Sequence, residues 1–291
     1  GRGGQFADAV MLGEDEEPFG LNAVERYLLE DTMLDDGGAV EDIDDVRASL
    51  EARAARLARE GVLPIGLIGQ QVQAQLVEAL VPVRSAWLSL RASFPQAAEK
   101  RAINLPFGEL QIDDWLDRLC SNGRDTAWLM QISSKVTDKG GQARGDKLML
   151  MWLRQLAAAA LGFPVTGYLV ARDAIVSMAP LDPATSRDAL STLLALWREG
   201  MNHPLPTACK TGLALVQQGD PRAVYDGGFD ISGERDELCL ARLWPEFSAL
   251  ALEEAWEDCT RELYGPLADW LQQHITIDPI SAPDDGAGEE Q

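Results

Sequence analysis

Two segments facing each other across a tight turn constrain this chain more than any other feature. ELQIDDWLDRLC (109–120) reads as one strand, SNGRD (121–125) as a turn, and TAWLMQISS (126–134) as the next strand. Asn122-Gly123 offers the positive φ that a short hairpin needs. A Gly-rich loop, KVTDKGGQARG (135–145), leads into DKLMLMWLRQLAAAAL (146–161), with Asp146 placed to cap a helix. Apolar residues nearly encircle that helix, so it must be buried against a sheet. A hairpin feeding a buried helix excludes an all-helical fold.

The flanks extend this core. Residues 19–36 carry a helical pattern with Leu21, Val24 and Leu28 near one face, and residues 40–60 and 67–90 give two further helices. AINLPF (102–107) is strand-like, and VTGYLVARDAIVSMAP (165–180) holds one or two strands. Asp182-Pro183 is a cap and first-turn pair for a helix running to about Arg198. Residues 202–232 read as mostly irregular, with terminal helices after them. The boundaries expected are an acidic lead-in at 1–18, a helical part at 19–101, a core at 102–275 and a disordered acidic tail at 276–291. The fold class is α/β, a mixed-sheet core with helices added at both ends.

Charge is unevenly spread. The net value of −22 arises from residues 1–60, with 16 acids and 6 bases, and 220–291, with 18 acids and 4 bases. Residues 61–219 hold 13 acids and 15 bases. Only this middle can face a polyanion without a heavy penalty, because phosphate neutralisation supplies most nucleic-acid affinity. No run of about 18 apolar residues suggests a membrane span. GRGGQFADAV at the start has neither Met nor the apolar core of a signal peptide, and reads as the cut edge of a longer protein. Four cysteines without a C-x-x-C pair, and two histidines, argue against a zinc site and for free thiols in a reducing cytoplasm.

The chain has no G-x-x-x-x-G-K-[ST], G-x-S-x-G or H-E-x-x-H motif. The acids of DGGFDISGE (226–234) miss the spacing of a calcium loop. A metal-dependent nuclease of the restriction-endonuclease type would place an acid on the first hairpin strand and Asp/Glu-x-Lys on the second, to hold Mg²⁺ and activate water. Here Asp117 suits the first ligand, but Gln131 stands where the second acid belongs and Ser133 where the lysine belongs. Glutamine offers an oxygen without charge, and serine cannot replace an ammonium. Lys135 shares parity with Ser133 but sits about 6–7 Å farther along. Asp113, Asp114 and Asp117 equally suit a solvated strand face. Lys135, Lys139, Arg144 and Lys147 in the loop, and Arg124 at the turn, suit phosphate contacts or a solvated loop. Most of the eight tryptophans fall in amphipathic patterns, with base stacking a minority option for any one.

Five segments occur in an order that resembles a known family: EDEEPFGLNAVERYLL, GVLPIGLIGQ, IDDWLDRL with its following strand, LWREGMNHPLP, and LARLWPEF with the closing helix. They span most of residues 14–275 and are similar to the C-terminal domain of the gamma subunit (RecC) of exodeoxyribonuclease V, a bacterial helicase–nuclease. The resemblance implies a restriction-endonuclease-like fold that has lost its active site. It implies a cytoplasmic module that binds the beta and alpha subunits and the duplex and single-stranded DNA at a fork, in double-strand-break repair. No cofactor is implied for this fragment; the parent complex uses ATP and Mg²⁺. By the same alignment Asp117 takes the position of an ancestral ligand, and Gln131 and Ser133 those of the lost acid and lysine. The turn Ser121–Asp125 and the loop 135–147 are candidates for fork contact. Two rival expectations are an active Mg²⁺ nuclease using Asp117, Gln131 and Lys135, and a protein-interaction module without DNA contact.

Overall fold

The structure, a computed structural model, describes residues 23–35, 42–63, 66–229 and 231–280. The acidic lead-in and residues 281–291 of the tail lie outside the described residues. The elements follow in chain order. Helices α1 (Ala23–Leu34), α2 (Val46–Arg59) and α3 (Gly66–Ser93) come first. Strands β1 (Gln96–Ala97), β2 (Arg101–Phe107), β3 (Leu110–Leu116), β4 (Leu119–Ser121) and β5 (Thr126–Gln131) lead to α4 (Gly145–Ala160). Then come β6 (Thr166–Val170), β7 (Ala174–Met178), α5 (Pro183–Gly200), α6 (Cys209–Val216) and α7 (Pro221–Asp226). The chain continues with α8 (Leu238–Leu243), α9 (Phe247–Ala251), α10 (Trp256–Gln273) and β8 (Ile275–Pro279).

Six strands form one sheet in the order β1-β4-β5-β6-β7-β8. Only β5 and β6 are parallel; the other neighbours are antiparallel. A parallel pair needs a crossover, and α4 supplies it. Strand alternation sends Trp128, Leu169, Val176 and Met178 to one side, where they meet Leu148, Trp152, Leu267 and Trp270. It sends Val170 and Ile175 to the other side, against the core of α1, α2 and α3. The molecule is therefore a mixed α/β sandwich of three layers. Among these contacts Trp128 lies so close to Gly167 that a Cβ there would meet the indole at 2.3 Å. Glycine is required on β6 because its neighbouring strand carries the largest side chain.

Four expectations change. The strand read as 109–120 is two strands. Arg118 takes a positive φ of 55° and breaks the run, a conformation costing a non-glycine residue about 1–2 kcal/mol. The break frees β3 to pair with β2 as a separate two-stranded sheet, while β4 pairs with β5 through the turn at Gly123. Residues 202–232 contain α6 and α7, the latter capped by Asp220, whose carboxylate accepts from Ala223 N at 3.1 Å. Residues 276–279 belong to β8, the edge strand on β7, rather than to a tail. The Asp182 cap is present, with Thr185 N donating at 2.9 Å. Asp146 is not the cap of α4. It sits in the first turn and pairs with Arg144 at 2.8 Å.

Candidate functional site

The three positions read as a degenerate metal site do not converge. Asp117 lies in the break between β3 and β4 and faces α4. Its carboxylate accepts from Arg154 of α4, whose guanidinium also donates to the Asp117 carbonyl at 2.6 Å. Arg118 stands 4.0 Å away. Burial pushes the Asp117 carboxyl up, but the Arg154 hydrogen bond and the charges of Arg154 and Arg118 outweigh it and hold the group below its ordinary value. The same guanidinium lies 5.2 Å from the Trp128 ring centre.

Gln131 and Ser133 face the opposite layer. Gln131 Nε2 donates to the carbonyl of Leu34, at the end of α1, at 2.8 Å. Ser133 donates through both its backbone N and its hydroxyl to Asp31 Oδ1, at 3.2 and 3.0 Å. Helix α1 is held further by buried Glu30, 3.0 Å from Arg26 and 3.6 Å from Arg172. Its final carbonyls, which no helix can satisfy internally, accept from Arg53 at Met33 and from fully buried Arg84 at Leu34. The sheet positions that a metal site would use are thus anchors, one for α4 and two for α1. Among the described residues, no group of three or more His, Cys, Asp or Glu side chains could hold a metal ion.

In the loop read at 135–147, residues 135–144 form a tied turn and 145–147 begin α4. Asp173, between β6 and β7, accepts from Val136 N at 2.9 Å, Thr137 N at 2.9 Å and the Thr137 hydroxyl at 2.6 Å. Thr137 and Ala143 form a β-bridge, and Asp138 accepts from Gly140 N and Gln142 N inside it. Lys135, Lys139 and Lys147 are exposed, whereas Arg144 is engaged with Asp146. Arg124 is exposed at the other end of β5, on a turn fixed by Asn122 Oδ1. The five basic candidates therefore divide into two places.

A groove of about 1310 Å³ runs between α1, α3 and the sheet. Asp31, Asp35 and Asp42 line its α1 end, while Arg91, Lys100 and Arg118 are basic members of its lining. Sequence reasoning missed Asp31, Asp173 and Arg154 as organising residues. Arg154 and Gln155 did leave a signal, as two polar residues inside an otherwise apolar helix. Gln155 satisfies the Trp128 indole N–H at 3.0 Å and two strand-end carbonyls.

The fold and its anchors define a three-layer mixed α/β module whose β5 residues hold its own helices, and comparison with known proteins places it. Residues 3–220 match the RecC C-terminal domain, and the chain belongs to that family. It is similar to the RecBCD enzyme subunit RecC of Escherichia coli (strain K12), 26% identical over 277 residues. The match covers 86% of this chain and 22% of that protein.

Proposed function

We propose that this chain is a non-catalytic module with a restriction-endonuclease-like core, part of a helicase–nuclease that repairs DNA double-strand breaks. It binds the beta and alpha subunits and supports DNA unwinding at the fork. The carrying observation is the division of labour around β5: Asp117 is neutralised by Arg154 on one face, and Gln131 and Ser133 are spent on α1 on the other. Two-carboxylate Mg²⁺ chemistry needs its oxygens at one point. Family membership supports the repair assignment. ATP and Mg²⁺ serve the motor and nuclease subunits.

DNA contact falls to the nearly neutral middle of the chain. Lys135 and Lys139 lie on a turn that Asp173 holds in place, and Lys147 lies in the first turn of α4 that follows it. Subunit contact falls to the acidic C-terminal part, where Phe229, Ile231, Leu238, Leu243 and Leu252 are all exposed. No described helix is long and apolar enough to cross a membrane.

The test is reconstitution of the full-length subunit with its partners. Charge reversal at Lys135, Lys139 and Lys147 together is expected to slow fork unwinding and leave assembly intact. Asp117→Ala is expected to leave nuclease activity unchanged. Normal unwinding in the triple variant removes this turn from the fork, and loss of nuclease activity in Asp117→Ala overturns the non-catalytic reading.

A further inference from the structure

The turn between α7 and α8 holds two apolar side chains out into water on a fixed base. Gly227 has a positive φ of 69°, and a Cβ there would meet Ile231 O at 2.4 Å. A Cβ on Gly233 would meet Tyr225 O at 2.4 Å as well. The two ends of the turn therefore cross backbone to backbone, an approach that glycine alone permits. Gly228 N donates to Ile231 O at 2.8 Å across it. The Asp236 carboxylate accepts from the Ser232 hydroxyl at 2.6 Å and from Gly233 N at 3.1 Å. Asp226 accepts from Phe247 N at 2.8 Å, and fully buried Tyr225 donates to the Trp244 carbonyl at 2.7 Å. The base of the turn is thus tied into the small core that holds Tyr225, Trp244 and Trp256. Beyond that base Phe229 is wholly exposed, and Ile231 is 72% exposed.

We propose that Phe229 and Ile231 anchor a protein–protein contact, seated in an apolar pocket of a partner subunit whose rim carries Lys and Arg. The proposal rests on the subunit-contact reading above, and names its anchor and the chemistry of the surface it meets. Charge selects the occupant. Residues 226–237 hold five acids, and their one base, Arg235, lies 3.7 Å from Asp226. Such a surround repels the phosphates of DNA and of anionic lipid, and draws a cationic face. A second copy of this chain, with a net charge of −22, is repelled likewise. Rigidity selects the role. A turn already fixed in one shape loses little freedom on binding. A ring presented in this way fills the apolar centre of a contact, while the acids around it steer the approach.

The experiment uses the full-length subunit assembled with its partners and DNA, carrying the photocrosslinker p-benzoylphenylalanine in place of Phe229. Irradiation is expected to join it to one partner subunit, at an apolar site flanked by Lys and Arg. Phe229→Ser is expected to weaken assembly by about ten-fold, the scale of one lost anchor. The free subunit should melt as the wild type does, because the ring is wholly exposed. Phe229→Leu is expected to restore most of the affinity. Glu237→Lys, at an exposed carboxylate beside the turn, is expected to slow association and flatten its salt dependence. Equal assembly by wild type and Phe229→Ser overturns the proposal, as does a crosslink from position 229 to DNA or to a second copy of this chain. Crosslinks to a partner from Leu243 or Leu252, but none from 229, also overturn it, yet leave the acidic part at a subunit contact. No crosslink to a partner from any of the three positions, in a complex that has assembled, sinks both readings.

Discussion

The two faces of the sheet solve the same problem differently. On the α4 face, Trp128, Trp152 and Trp270 fill space, and polar groups serve the packing: Gln155 satisfies the Trp128 indole and Arg154 closes over Asp117. On the α1–α3 face the small apolar core is joined by a polar lattice of Asp31, Glu30, Arg84, Gln131 and Ser133. Apolar burial is roughly proportional to area and indifferent to direction, so it gives the first face most of its stability. Hydrogen bonds add about 1 kcal/mol each but demand one geometry, so they give the second face its register.

The contrast is broken most severely by Trp128→Ala. The cavity it leaves is expected to cost about 3–5 kcal/mol, read as a lowered urea midpoint. A loss near 1 kcal/mol would mean the α4 face is not the main store of stability. Asp173→Ala strips three donors of their acceptor and is expected to cost about 1–3 kcal/mol, with faster amide exchange over 135–147. Unchanged exchange there would show that the turn holds itself. Ser133→Ala removes one bond to Asp31 and is expected to cost about 1 kcal/mol, with α1 more open to protease and α4 unaffected.

Asp117→Asn comes next. Asp117 is half exposed, and the pair is expected to contribute under about 1 kcal/mol. Its carboxyl is held below the ordinary value when folded, so the contribution is present above the unfolded pKa and is lost as pH falls through the folded one. Wild type and Asn variant should therefore converge in acid and separate at neutral pH; a constant gap would contradict the ion pair. The smallest effect is chemical. Burial, with Glu234 and Asp146, pushes the Cys209 thiol up to about 11, and burial also raises Cys120 and Cys259. Exposed Cys239 should react first with a neutral-pH alkylating reagent, without loss of stability.

Local signals made much of this fold legible. Periodicity located α1 to α5, Asp182-Pro183 started α5, and Asn122-Gly123 turned β4 into β5. The division at Arg118 was hidden, because alternation continues through DDWLDRLC and nothing in an arginine announces a positive φ. Strand β8 was hidden because pairing to β7, almost a hundred residues away, leaves no mark in five residues. Gln131 and Ser133 were visible as residues that do not fit a metal pattern. Their use was not, because Asp31 and Leu34 lie about a hundred residues upstream and reach them only through the tertiary fold.

The bond from Gln131 to Leu34 also restricts which residue can stand at 131. Its amide must present nitrogen to a carbonyl oxygen 2.8 Å away. A glutamate at 131 would bring an acceptor-only, negative oxygen to that carbonyl oxygen, with Asp31 nearby on the same helix. An acid at this position would therefore require letting go of α1, and with it the seats of Ser133, Arg84 and Arg172. The seat of α1 is thus shared among side chains from three parts of the chain, and none of them can be exchanged without disturbing the others.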